Sequence, residues 1–334
     1  MDKTELRLDP LTRDWTIFNE GRAFPPAFGP VRGESLADSP FRSGLERFAS
    51  NAMHHSAGEF GWQVRVVPNR VPILRVEGDS TPQRDGIYEH LDGIGAHEIV
   101  IEDPGDRAFE DLSAAEIAQV IRAWAMRIED LMRDIRLLAF SVFKSVGRAA
   151  GQTVAHSLSQ VVAMAVVPPV LRRKLRHARE HFTVRKQNLF ADIIAHERRH
   201  TARVVHENAD FFVFCPYAAS APFELAVWPK RQSADFHRIA DGEISHLAET
   251  LRLCLRKLNR ALDPPACHII LTTAPSCASA NGRRETLDED FRWHIAIVPR
   301  LQPIGTLDIA TGCHVNGVWP EAAADYLRSI ADDA

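Results

Sequence analysis

The order of apolar patterning constrains this chain most. It passes twice through strand, long helix, strand, polar loop and a histidine-bearing strand that stops at proline. In the first passage, Ala96-His97-Glu98-Ile99-Val100-Ile101-Glu102 alternates like a half-buried strand, and Pro104 and Gly105 end it. Leu112, Ile117, Val120, Ile121, Trp124, Ile128 and Leu131 follow helical spacing behind Ser113, a capping residue type. Strands over residues 137–143 and 161–167 complete the unit. In the second passage, residues 223–228 read as a strand stopped by Pro229, and Ile244, Leu247, Leu251, Leu255 and Leu258 as a helix. Residues 268–272 and 293–298 follow as strands, the last closed by Pro299. The pattern predicts an α+β protein with antiparallel sheets and packed helices, its two halves related by a pseudo-two-fold axis. The expected division is residues 1–175 and 185–334, joined by the basic stretch from Arg172 to Arg185, read as solvated surface.

Between a Gly-containing approach (Ser145 to Gly151) and an apolar strand lies His156-Ser157-Leu158-Ser159-Gln160. It reads as His-x-His-x-Gln with its second histidine replaced. In the phosphate-transfer chemistry that such a motif serves, the second imidazole attacks phosphorus, and a leucine can neither attack nor exchange a proton. His156 is a poor substitute, because two strand positions displace the attacking nitrogen by roughly 6–7 Å. Ser157 and Ser159 point to the opposite face of a regular strand and have no general base evident from sequence.

A net charge of −4 gives no bulk electrostatic reason to expect nucleic acid or an anionic membrane as partner. No stretch reaches the roughly 18–20 uninterrupted apolar residues of a membrane span, and the start carries no apolar signal region, so cytoplasm is the expected compartment. The cysteines at 215, 254, 267, 277 and 313 are odd in number and contain no C-x-x-C pair, which reads as free thiols. His196-Glu197-Arg198-Arg199-His200 meets the spacing of a zinc-protease helix, but nothing downstream supplies a third ligand.

The run Asp290-Phe291-Arg292-Trp293-His294-Ile295-Ala296-Ile297-Val298-Pro299-Arg300, with the His156 motif, resembles the galactose-1-phosphate uridylyltransferase family of tandem histidine-triad folds. Collinear blocks extend the likeness over nearly the whole chain. They include Leu8-Asp9-Pro10-Leu11-Thr12, the segment from Val64 to Pro72, His97-Glu98-Ile99-Val100, Pro222-Phe223-Glu224 and Thr311-Gly312-Cys313-His314-Val315-Asn316. The resemblance implies nucleotidyl transfer between a nucleotide sugar and a sugar 1-phosphate through a covalent nucleotidyl-histidine. It implies small-molecule partners and a homodimer, and it places His156 and Gln160 at the reaction centre. Arg22, Asn69, Ser145 and Thr153 fall at nucleotide- or phosphate-binding positions, and Asp308 at a sugar-binding position held in relatives by Glu.

The departures from the family pattern are concentrated at reactive positions. Leu158 holds the nucleophile position. Ser39-Pro40-Phe41-Arg42 stands where relatives carry Cys-Pro-x-Cys, leaving His156 alone of a four-ligand zinc set. Glu197 and His294 match two positions of a second metal site, whereas Thr272 and Ala296 hold two others. No metal cofactor is expected. Two readings remain open: a transferase working by direct displacement, and a catalytically silent protein that binds a nucleotide sugar or sugar phosphate.

Overall fold

The computed structural model describes residues 4–8, 10, 15–19, 39, 41–44, 51–59, 61–152, 154, 156–276 and 286–331. In chain order the first half contains β1 (Thr4–Leu8), β2 (Trp15–Asn19), β3 (His54–His55), β4 (Arg65–Pro68), β5 (Gln83–Asp85), β6 (Tyr88–Asp92), β7 (Gly95–Ile101), α1 (Ala114–Leu131), β8 (Ala139–Val146) and β9 (Leu158–Met164). Then come α2 (Pro169–Arg185), α3 (Leu189–His200), β10 (Val204–Glu207), β11 (Phe211–Phe214), β12 (Leu225–Pro229), α4 (Asp241–Leu262), β13 (Cys267–Thr272), α5 (Leu287–Asp290), β14 (His294–Pro299), α6 (Thr306–Thr311) and α7 (Pro320–Ser329).

Ten of these strands form one antiparallel sheet in the order β10-β11-β12-β14-β13-β8-β9-β7-β4-β3. The halves meet at its centre, where β13 pairs with β8, Cys267 opposite Val146 and Thr272 opposite Ser141. They therefore share a sheet instead of each closing its own. The alternation of β-strand side chains sends Val142, Val161, Ile269 and Ile295 to one face, where they meet Ile121 and Trp124 of α1 and Leu247 and Leu251 of α4. Each fully buried aliphatic side chain there contributes about 1.5–3 kcal/mol, so this layer is the main core.

Helix α1 starts where the capping chemistry places it. The Glu116 N–H donates to Ser113 Oγ (3.3 Å), and the Ser113 N–H donates to Glu116 Oε2 (2.7 Å). This reciprocal box satisfies two of the N–H groups that a helix start leaves without intrahelical partners.

The opposite face of the sheet carries the His156 motif and differs from expectation in several ways. Strand β7 is buried along its whole length, because a second, four-stranded sheet (β2-β1-β6-β5) and the Phe41–Trp62 cluster cover the side expected to be wet. Strand β9 begins at Leu158, three residues before the expected start, so the motif's last three residues belong to the sheet. The basic stretch is no featureless surface. It forms α2, whose Leu171 and Ala178 are buried and whose Lys174 turns inward to His294. Among the described residues, no helix is long and apolar enough to cross a membrane. Cys215, Cys254, Cys267 and Cys313 are free; Cys277 lies outside the described residues.

Replacing Ser113 with Ala should lower stability by about 1 kcal/mol. Urea unfolding followed by circular dichroism checks this, and an unchanged midpoint would mean the box is redundant.

Candidate functional site

Strand β9 pairs with β7, Gln160 opposite Ile99 and Leu158 opposite Ile101. The period of two places Leu158, Gln160 and Val162 on one face with His97, Ile99 and Ile101. His97, which the sequence reading left without a role, is the organising residue. Its Nδ1 accepts the backbone N–H of Ile73 (3.0 Å), so the proton sits on Nε2 and is donated to Gln160 Oε1 (2.7 Å). With that oxygen committed, the two N–H donors of the Gln160 amide face away from His97. Asn69 lies against the same ring, its Nδ2 3.1 Å from Nε2, while its Oδ1 accepts the Val71 N–H (2.9 Å) and closes a turn. The structure thus brings Asn69 and Gln160 together through His97.

Leu158 contributes to an apolar cluster of Phe41, Trp62, Val67, Ile99 and Ile101. His156 is buried, edge-on to Phe41, and its Nε2–H donates to the Asp103 carbonyl (2.7 Å). Its Nδ1 has no partner among the described residues, and burial pushes its pKa below the ordinary histidine value, keeping the ring neutral.

The alternate residues of the motif point into the main core. Ser159 Oγ accepts the Trp124 Nε1–H (2.7 Å). Ser157 Oγ donates to Glu102 (2.7 Å) and receives Lys144 Nζ (3.0 Å), which also bonds Glu102 (2.5 Å) and the Leu158 carbonyl (3.3 Å). This amine joins β8, the end of β7 and the start of β9, and so holds the strand that carries Leu158 and Gln160. Lys144 is a positioning residue that sequence reasoning missed. A lone lysine at a core-facing strand position, with Glu102 ending the neighbouring strand, was the available signal.

Gly147 (φ +78°) and Gly151 (φ +81°) occupy left-handed conformations in the loop before the motif, and a Cβ at Gly147 would stand 2.8 Å from that of Ala266. Gln152 clamps the loop by accepting the Gly147 N–H (2.6 Å) and donating to the Val154 carbonyl (2.8 Å). Ser145 is half-buried on β8, two residues beyond Phe143, which lies opposite Gln160. Asp308 is taken up within its own segment, accepting N–H groups from Gly305 (2.9 Å) and Val315 (3.3 Å) as the cap of α6. Arg22 and Thr153 lie outside the described residues.

The side chains present do not fit a metal at either family position. Phe41 stands beside His156, Ser39 and Arg42 hold the positions of the family's cysteines, and one imidazole is not a zinc site. In the second half, Glu197 Oε1 is held by Arg203 (2.8 Å), and His294 Nε2 accepts Lys174 Nζ (2.7 Å). A lysine amine thus occupies the direction in which a cation would bind. Burial, with Lys174 close by, drives the His294 pKa down to about 3.

The architecture and the motif face together define a protein of the uridylyltransferase fold class. A solved uridylyltransferase superposes with a TM-score of 0.80 at 22% identity, covering 97% of this chain and 98% of that one. No protein-family model matches the chain. The ADP-glucose phosphorylase of Arabidopsis thaliana is 30% identical over 336 residues, covering 98% of this chain and 93% of that protein. A crystal structure of an Arabidopsis thaliana ADP-glucose phosphorylase with bound ADP-glucose gives a TM-score of 0.79 at 29% identity, covering 99% of both chains. The galactose-1-phosphate uridylyltransferase of Thermotoga maritima is 20% identical, covering 97% of this chain and 98% of that protein. The chain belongs to the galactose-1-phosphate uridylyltransferase family.

Two outcomes follow from this geometry. Lys144→Met strands the buried Glu102 carboxylate and should cost about 3–5 kcal/mol, much of it recovered in the Lys144→Met/Glu102→Gln double variant, as read by urea unfolding. His156 and His294 both have folded-state pKa values below their unfolded ones, so the unfolded chain binds more protons below the ordinary histidine value. Their contribution is complete above that value and falls with pH, so the unfolding midpoint should drop between about pH 7 and about pH 5. His156→Gln should flatten that slope, and an unchanged slope would mean that His156 titrates normally in the fold.

Proposed function

We propose that this face of the sheet binds a nucleotide sugar and that the protein transfers the nucleotidyl group to a phosphate-bearing acceptor in one displacement. The observation that carries the reading is the Gln160 amide, whose oxygen is held by the Ile73–His97 relay so that its N–H donors face away from His97. A preset donor pair on a structured strand suits a phosphoryl oxygen that gains charge during transfer. The family relationship supports a nucleotide sugar, and the relative with bound ADP-glucose makes an adenine nucleotide sugar as reasonable a donor as a uridine one.

In this reading an oxygen of inorganic phosphate or of a sugar 1-phosphate forms a bond to the α-phosphorus while the bond from that phosphorus to the departing sugar phosphate breaks. With ADP-glucose and phosphate, the products are ADP and glucose 1-phosphate. Gln160 donates to the α-phosphoryl oxygens, Asn69 and Ser145 hold the nucleotide part, and neutral His156 orders the strand start. Arg22 and Thr153 are assigned phosphate contacts, and Asp308 the sugar. Leu158, the fully engaged ring of His97 and the offset of His156 by two strand positions favour a path without a covalent intermediate. The second reading, a silent nucleotide-sugar binder, is favoured by the same aliphatic residue at 158.

The test is to incubate the protein with ADP-glucose or UDP-glucose and either phosphate or galactose 1-phosphate, and to resolve products by chromatography. Nucleoside diphosphate or exchanged nucleotide sugar supports transfer. Calorimetric binding without product supports the silent binder, and absence of both heat and product overturns both. If the protein turns over, Gln160→Ala should lower kcat by about 10²–10³-fold. Leu158→His should introduce a nucleotidyl adduct, visible by intact mass, that the natural protein lacks.

A further inference from the structure

A cavity of about 500 Å³ opens in the C-terminal half, on the same side of the sheet as Gln160 but at the other end. Its floor is Ala226, Trp228, His294 and Ala296, its wall the side of α2 that presents Val170, Arg173, Lys174 and His177. Those four positions are spaced i, i+3, i+4 and i+7, one helical face, so three nitrogen bases converge on one space. We propose that this cavity binds the oxyanion of a small organic phosphate, held by Lys174 and Arg173, with the organic body lying on Trp228 and Phe190.

The argument begins with the donors. An ammonium group offers three N–H donors. Lys174 uses one on His294 Nε2 (2.7 Å), while His294 commits its Nδ1–H to the Arg292 carbonyl (2.9 Å) and cannot neutralise the amine. Among the described residues Lys174 has no carboxylate within ion-pair distance. Glu224, the one acid on the cavity wall among the described residues, spends its Oε2 on the N–H and hydroxyl of Ser220 (both 2.7 Å) and acts on Lys174 only from beyond ion-pair distance. Arg173 makes no ion pair among the described residues. A bound oxyanion would supply acceptors for the remaining donors of the Lys174 amine. The apolar remainder comes from Trp228 and Phe190, whose ring centroids lie 5.0 Å apart. They form a surface suited to a base or the carbon face of a sugar. A carboxylate-bearing metabolite shares the oxyanion chemistry, so the test separates the two.

The test reads Lys174 directly. The intact protein is acetylated with limiting reagent in the presence of AMP, glucose 1-phosphate, inorganic phosphate or citrate, and labelling of each lysine is followed by peptide mass spectrometry. AMP or glucose 1-phosphate should slow labelling of Lys174 by about tenfold, equivalent to about 1.4 kcal/mol, and leave Lys186 unaffected. Arg173→Ala, an exposed change that should not disturb folding, should weaken that protection severalfold. Protection by citrate alone would reassign the pocket to carboxylates and overturn the phosphate assignment. Lys174 labelling that no probe slows, or protection unchanged in Arg173→Ala, would overturn the site itself. The outcome is independent of turnover at Gln160, because the readout is confined to Lys174.

Discussion

One backbone N–H orientates the motif glutamine of this protein. Ile73 donates to His97, which forces the imidazole proton to the far nitrogen, and that proton pins the Gln160 oxygen. The amide is thereby orientated without help from a ligand. In a buried setting an unmatched donor or acceptor costs about 1–3 kcal/mol, so reversing any member of the relay is opposed by the others. The glutamine is supported in this way with an aliphatic residue, Leu158, two positions before it.

Around that relay the motif strand has two unlike faces. Toward α1 and α4 it is anchored by Ser159 to Trp124 and by Ser157 to the Lys144–Glu102 pair. Its other face carries Leu158, packed in the Phe41–Trp62 cluster, and the half-buried Gln160 beside His97. The buried pair acts chiefly through specificity of position: removing one partner is costly, whereas exchanging both for neutral groups need not be. This division fixes the register of the strand that carries Leu158. The same substitution of roles recurs in the second half, where Lys174 stands at His294 and Arg203 at Glu197.

Much of the fold was legible because it rests on periodicity. The stripe from Ile117 to Leu131 and the one from Ile244 to Leu258 became α1 and α4, and Ser113 capped the first as its side chain allows. The double burial of β7 was not legible, since it depends on a separate sheet, distant in sequence, laid over it. For the candidate site, the resemblance singled out Asn69 and Gln160, but the contacts of both with His97 were not legible. His97 looked like one polar residue in an alternating strand, and only the pairing of β7 with β9 and the return of the chain at Ile73 reveal its contacts. Lys174 was hidden within a basic run whose charge suggested solvent, although its phase with Leu171 and Ala178 marked the buried stripe.

In the proposed reaction Gln160 receives the α-phosphoryl group while nothing at position 158 attacks it. The most direct measurement is the stereochemical course at phosphorus, using a nucleotide sugar made chiral at the α-phosphate by sulfur. A single displacement predicts inverted configuration in the product. Retention would contradict the account, because it requires two successive inversions and hence a nucleophile on the protein.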